Sequence, residues 1–281
     1  MSAGNRSLGG GSFAEMMDLD RRGPDSYVGT GPSYPWGGLY GGQIVAQSLV
    51  AAARTVGSSF RIHSLHAYFI RRGDAEEPIR FDVDRLHDGR SFATRSVLAS
   101  QSNGAILQMS ASFQAGEPGR YIQTAPFPDL PPAGAVTDAP WLDLFDRRPV
   151  VDEDGRAAAW LRIADVAPED PVGAAAALAY LSDDLASDCV RSRQQAVDGV
   201  TGRHWNGISL DHAIWFQHPL SGGDWQLHDF RCEAIGSPRG LATGRVFSAD
   251  GTHLATVAQE VLLRPVREAT ATTPPPPRLS A

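Results

Sequence analysis

A chain of 281 residues can fold as one large domain or as two of ordinary size. Its 42% hydrophobic and 20% charged residues fit a globular protein, and a net charge of −7 offers no basic field for nucleic acid. No uncharged apolar run approaches the roughly 18 residues of a membrane-spanning helix. The two cysteines, Cys189 and Cys232, form neither a CxxC pair nor a disulfide framework. With no secretory signal in MSAGNRSLGGGSF, a cytoplasmic protein in a reducing compartment is expected.

Residues 1–33 read as a flexible N-terminal arm. In YPWGGLYGGQIVAQSLVAAARTV, Gly37, Gly38, Gly41 and Gly42 mark a loop, and the following pattern predicts a helix over Gln43–Val56. That helix is apolar nearly all round, which implies burial, and it contains no Asp or Glu. RIHSLHAYFI, PIRFDVDRLHDG, SFATRSVLASQSNG and AILQMSASFQAG then read as an antiparallel meander, with a hairpin at Ser-Asn-Gly. Residues 116–140 are rich in Pro, Ala and Asp and read as a linker without regular structure.

AAAWLRIADV is a strand candidate, and EDPVGAAAALAYLSDDLASDCVRS a second buried helix. Pro171 suits its first turn, with Asp170 or Glu169 before it as cap. GISLDHAIWFQHP, WQLHDFRCEAIG, GLATGRVFSADG and HLATVAQEVLLR read as a second strand meander, with a hairpin at Asp250-Gly251. Residues 267–281 read as a disordered, proline-rich tail.

The order of helix then meander occurs twice, and local similarities accompany it. LHAYFIRRG and LDHAIWFQHP place His-Ala before an apolar run, with His66 and His212 separated by 212 − 66 = 146 positions. Arg90 matches Arg239, Ala93-Thr94 matches Ala242-Thr243 and Val97 matches Val246, at an offset of 149. Two long copies indicate a duplicated domain rather than a solenoid. The expected fold class is α+β: a double hotdog, each copy a buried helix wrapped by an antiparallel sheet. Residues 34–115 and 141–266 are the two units, each sheet hiding one face on its helix and burying the rest against its twin.

Over roughly residues 34–265 the chain resembles the acyl-CoA thioesterase II family. The resemblance rests on GGLYGGQIVAQSL, HSLHAYFIRRGD, SLDHAIWFQHP and ATVAQEVLLR in that order. It implies hydrolysis of acyl-CoA, of medium- to long-chain fatty acyl type, to free acid and CoA. It implies no metal or organic cofactor, CoA being part of the substrate. Carried over by motif, the family's Asp falls on Asp183 in AYLSDD, its hydroxyl on Ser209 in ISLDH and its amide on Gln259 in VAQEV. Asp184 is adjacent, and a one-residue slip would exchange the two acids.

The residues suit that chemistry. A carboxylate withdrawn from water gains basicity near neutral pH, and a hydroxyl and an amide can hold the water it activates. The helix start at Gly41-Gly42-Gln43 offers backbone donors for an oxyanion or for CoA phosphates. Only the second copy carries an acid on its helix, and counting back 147 residues from Gln259 reaches Ser112. One centre per chain follows, in the second copy.

Each residue also has a plainer reading. Asp183 could be a solvated helix-end acid, and Gln259 a structural amide. His63, His66, His212 and His218 form no HExxH and are expected to be structural, as is Cys189. Trp36, Trp205, Trp215 and Trp225 could line an acyl tunnel or pack in cores. No GxSxG elbow supports a serine hydrolase. A hotdog hydratase and a non-catalytic acyl-CoA-binding protein are the alternatives. Self-association into a homo-oligomer through exposed sheet faces or edges is expected.

Overall fold

The computed structural model describes residues 11–198 and 205–266. The first half comprises α1 (Phe13–Met17), β1 (Asp20–Arg21), β2 (Ser26–Gly29), α2 (Gly41–Ala53), β3 (Phe60–Phe69), β4 (Ile79–Asp88), β5 (Phe92–Gln101) and β6 (Gly104–Ala115). The second comprises β7 (Asp146–Glu153), β8 (Arg156–Arg162), α3 (Pro171–Leu181), α4 (Ala186–Asp198), β9 (Trp205–Ser209), β10 (Asp211–Phe216), β11 (Gln226–Gly236), β12 (Arg239–Ser248) and β13 (His253–Pro265).

The strands form one sheet, in the order β1-β2-β4-β5-β6-β3-β10-β13-β12-β11-β8-β7, with β9 also pairing β13. The two meanders therefore meet edge to edge, through antiparallel β3 and β10. This corrects the expectation that each sheet buries its remaining face on its twin. The closure is made by paired edges, which removes two exposed ladders, and by α2 packing against α3. Among the described residues no helix is long and apolar enough to cross a membrane.

Two helix boundaries differ from expectation. The first helix begins earlier, at Gly41, and ends at Ala53. The second is two helices, broken after Leu181 by a turn at Ser182–Leu185. Asp170 is its N-cap, accepting from the Val172 and Gly173 amides, with Pro171 at the first position. The strand β7 was not legible because Pro149 interrupts it; Pro is tolerated there since β7 is an edge strand.

The arm expected at 1–33 is folded from Ser12 onward. Ser12 and Glu15 form a capping box on α1, which buries Phe13, Met16 and Met17. Residues 1–10 and the tail 267–281 lie outside the described residues. Residues 116–140 contain only one short 3-10 turn, Ala133–Ala135, but they are fastened to the second half. Tyr121 donates to the His253 carbonyl, Gln123 bonds Gly251 and His253, and the Trp160 indole donates to the Pro131 carbonyl. Ala125 and Leu130 thereby cover the outer face of the sheet at Trp160, Leu227 and Phe247.

The register also revises the repeat. His212 lies opposite Ala67, and His66 opposite Ala213. Side chains alternate along a strand, so His66 and His212 point to opposite faces: His66 is exposed and His212 fully buried. The 146-residue offset is thus a local coincidence. Leu65 and Ile214, both fully buried, share a face, so an odd offset such as 214 − 65 = 149 fits these two strands. Val97 and Val246 share it, and both are fully buried.

Candidate functional site

The site lies where the break after α3 faces the start of α2. Ser182 caps α3, its amide donating to the Leu178 carbonyl, and the chain turns. Acids are disfavoured at a helix C-terminus, where the macrodipole is negative. Here both are caught by donors from other elements. Asp183 Oδ2 accepts the Gly42 amide at 2.9 Å, and its Oδ1 accepts the Ser209 hydroxyl at 3.2 Å. Gln259 Nε2 donates to Ser209 Oγ at 2.7 Å. The three residues named from sequence are thus brought together.

Asp184 turns the other way. Its carboxylate pairs with Arg147 Nε at 2.7 Å and accepts the Trp141 indole at 2.5 Å. Both Asp184 and Arg147 are buried, so this ion pair is a structural tie between the turn and β7. The adjacent acids therefore face different ways: Asp183 faces Ser209 and Gln259, Asp184 does not.

A β-bulge places Ser209. Ala213 lies opposite Ala258, and Ser209 opposite Val261, so four steps on one strand match three on the other. Without that extra residue, strict alternation from inward-facing His212 would point Leu210 inward. The bulge at Leu210-Asp211 swaps the faces and aims Ser209 at Asp183. Asp211 Oδ1 accepts the Glu260 amide there, supplying the acceptor the bulge removes from the ladder.

Asp183 retains 8% of its exposure, enough for contact with a small molecule. Burial pushes its carboxyl up from 3.8 to about 6, with the neighbouring Asp184 charge adding to the rise. Hydrogen bonds from Gln259, the Gly42 amide and Ser209 oppose it. The result is a carboxylate that is ionised at neutral pH yet a stronger base than usual.

Glycine is required at the helix start. A Cβ on Gly42 would strike the Tyr180 carbonyl oxygen, and one on Gly41 would crowd Asp183 Oδ2 and the Phe69 ring. The two helices approach this closely only because both side chains are absent. The expected role of Gly42 as an oxyanion donor is corrected: its N–H is taken by Asp183.

Around the turn, Tyr40 donates to the Tyr180 carbonyl, and Trp36, Tyr34, Tyr40 and Trp141 form a continuous aromatic cluster. Of the four tryptophans singled out from sequence, only Trp36 joins this cluster. Trp205 donates to Asp198, Trp215 packs edge-on against His66, and Trp225 lies between Arg148 and Arg162. Sequence reasoning missed Trp141, Arg147 and the bonding role of His212, whose Nδ1 reaches Gln259 Oε1. Cys189 is buried, and burial raises its thiol well above the usual range, as a structural cysteine requires. No cluster of His, Cys, Asp or Glu able to hold a metal occurs among the described residues.

The first half lacks this constellation. Ala93 lies opposite Phe113 just as Ala242 lies opposite Gln259, so the counterpart of Gln259 is the buried Phe113 and not Ser112. One residue past the cap of α2, where Asp183 stands relative to α3, is Thr55. Its hydroxyl and carbonyl are bonded by the fully buried Arg95 guanidinium. The twin position is filled by an arginine.

Comparisons with known proteins identify the family. The acyl-CoA thioesterase N-terminal domain matches residues 30–114, and the acyl-CoA thioesterase C-terminal domain matches residues 122–263. Human acyl-coenzyme A thioesterase 8 is 30% identical over 279 residues, covering 89% of this chain and 88% of that protein. Acyl-CoA thioesterase 2 of Haemophilus influenzae is 30% identical, over 80% of this chain and 87% of its own. The crystal structure of an acyl-CoA thioesterase II from Mycobacterium marinum superposes with a TM-score of 0.78 at 35% identity, covering 90% and 98% of the two chains. A hot dog fold protein from Alicyclobacillus acidocaldarius shares the fold at a TM-score of 0.77 and 20% identity, covering 90% and 97%. Matched in both halves and along most of its length, the chain belongs to the acyl-CoA thioesterase family.

Proposed function

We propose that this chain, a double hotdog, hydrolyses medium- to long-chain fatty acyl-CoA to the free acid and CoA at the Asp183–Ser209–Gln259 centre, with one centre per chain and in the cytoplasm. The observation that carries the reading is the convergence of the Ser209 and Gln259 side chains, from two strands, on the buried Asp183 carboxylate beside aromatic surface.

Asp183 takes a proton from a water held by Ser209 and Gln259 as the water oxygen attacks the thioester carbonyl carbon. The negative charge passes to the carbonyl oxygen. The first-turn amides of Gly41 and Gln43 are the donors for that oxyanion. Collapse breaks the carbon–sulfur bond, and the proton held on Asp183 passes to the departing CoA thiolate, leaving acid and thiol. Burial supports the base role by raising the carboxyl to about 6. The Phe69 and Tyr40 rings beside the glycine pair offer apolar surface to an acyl chain.

The test is release of free CoA, followed with a thiol reagent, across acyl-CoA substrates from acetyl to long-chain. Turnover rising with chain length supports the reading. Acyl-CoA binding without CoA release would replace it with a non-catalytic binding role, and hydration of an enoyl-CoA with a hydratase role.

A further inference from the structure

We infer that His212 is a positioning residue, locked as the Nδ1–H tautomer, which together with Ser182 fixes the orientation of the Gln259 amide. This rests on the proposed role of Asp183, Ser209 and Gln259.

The inference follows from donor and acceptor counting along one chain of contacts. An ionised carboxylate only accepts hydrogen bonds, so Ser209 must spend its single proton on Asp183 Oδ1. The Ser209 oxygen can then only accept from Gln259, which places the amide nitrogen toward Ser209. The amide oxygen is left facing His212 Nδ1, which must therefore carry a proton. With a neutral ring, Nε2 is an acceptor. The Ser182 hydroxyl lies 2.8 Å from Nε2 and 3.1 Å from the Ala179 carbonyl, and it donates to the ring. Every donor thus points toward Asp183: Ser182 to His212, His212 to Gln259, Gln259 to Ser209, Ser209 to the carboxylate.

The alternative is an imidazolium donating from both nitrogens. His212 is fully buried, and no residue in its hydrogen-bonded chain other than Asp183 is an acid. Burial holds its pKa at about 4, against support from Gln259 and the Asp211 charge, so the ring is neutral at pH 7. Ser182, the cap of α3, immediately precedes Asp183. The turn that presents the base thus also fixes, through His212, the amide on β13 that serves it. Reversal of the Gln259 amide would set its oxygen against the Ser209 oxygen, whose proton Asp183 already holds.

Two readouts test this. In the first, nitrogen-15 NMR of wild-type protein, the His212 ring is identified by the signals lost in His212→Asn. The expected result is a protonated Nδ1 and an unprotonated Nε2; a protonated Nε2 overturns the inference. This readout needs no activity, so it stands even if no acyl-CoA is hydrolysed. The second compares acyl-CoA turnover by His212→Asn, whose side-chain amide can donate from the position of Nδ1, with His212→Gln, whose donor reaches the position of Nε2. His212→Asn should keep kcat within about threefold, and His212→Gln should lose about tenfold or more, with KM little changed in both. Equal loss in both folded variants overturns the inference. Normal turnover in wild type with no loss in Asp183→Asn instead sinks the underlying site reading.

Discussion

Two adjacent acids have opposite fates because a turn, rather than a helix, presents them. Asp183 meets neutral donors and a small opening; Asp184 meets a guanidinium and an indole. The Asp183 shift carries a pH prediction. A general base works only when ionised, so kcat/KM should rise with pH through about 6 and level off above it. For folding the sign is reversed. Between pH 3.8 and about 6 the folded chain holds a proton that the unfolded chain has released. This group alone therefore makes stability fall as pH rises across that window. A pH–rate profile, and unfolding of wild type against Asp183→Asn over the same range, check both. At this scale the candidate acid, hydroxyl and amide were legible because family motifs mark them. His212 was legible only as a plain structural histidine, since its partner Gln259 lies 47 residues away and nothing local announces the bond.

At the scale of elements, three irregularities build the site: the break after α3, the bulge before β10 and the glycine pair opening α2. None has a strong sequence signal. SDDLASDC continues an apolar helical pattern, so one helix was expected where there are two. The bulge alters parity without altering composition. The His-Ala similarity misled because alternation decides faces, and an offset wrong by an odd number of residues, three here, reverses them. The glycines were read as a loop, yet Gly41 and Gly42 are helical, and their role is to let α2 and α3 touch. Gly42→Ala should separate the helices at this point, costing about 1–3 kcal/mol by overpacking. Turnover should fall as well, because the Gly42 amide would leave Asp183. Chemical denaturation and CoA release measure the two effects; unchanged stability and turnover would contradict the close approach.

For the whole molecule, the duplicated plan was readable from the repeated order of helix and meander, whereas the way the copies join was not. Edge pairing of β3 with β10 depends on register, and a strand pattern specifies its faces, not its neighbours. The arrangement makes the candidate site a joint product of both halves: Asp183 lies in the second, the Gly42 amide in the first. At the twin position Arg95 bonds Thr55, so the first half does not repeat the Asp183–Ser209–Gln259 constellation. The N-terminal segment was misread because its composition is polar and glycine-rich, while among its described residues Phe13, Met16, Met17 and Leu19 are buried. Phe13 packs edge-on against Tyr180, two residues from the cap of α3. Removing residues 1–18 should therefore lower the thermal midpoint by several degrees, since each buried apolar side chain contributes about 1.5–3 kcal/mol. An unchanged midpoint would show the segment to be dispensable.

The most direct test of the central claim is CoA release by wild type, Asp183→Asn and Asp184→Asn on one acyl-CoA that the wild type hydrolyses. Asp183→Asn should lose at least about a hundredfold in kcat while remaining folded. Asp184→Asn should keep its catalytic groups but lose up to about 3–5 kcal/mol of stability, because the buried Arg147 loses its close partner and keeps only Asp188 at 3.8 Å. Full turnover by Asp183→Asn, or a loss of turnover confined to a stably folded Asp184→Asn, would contradict the account.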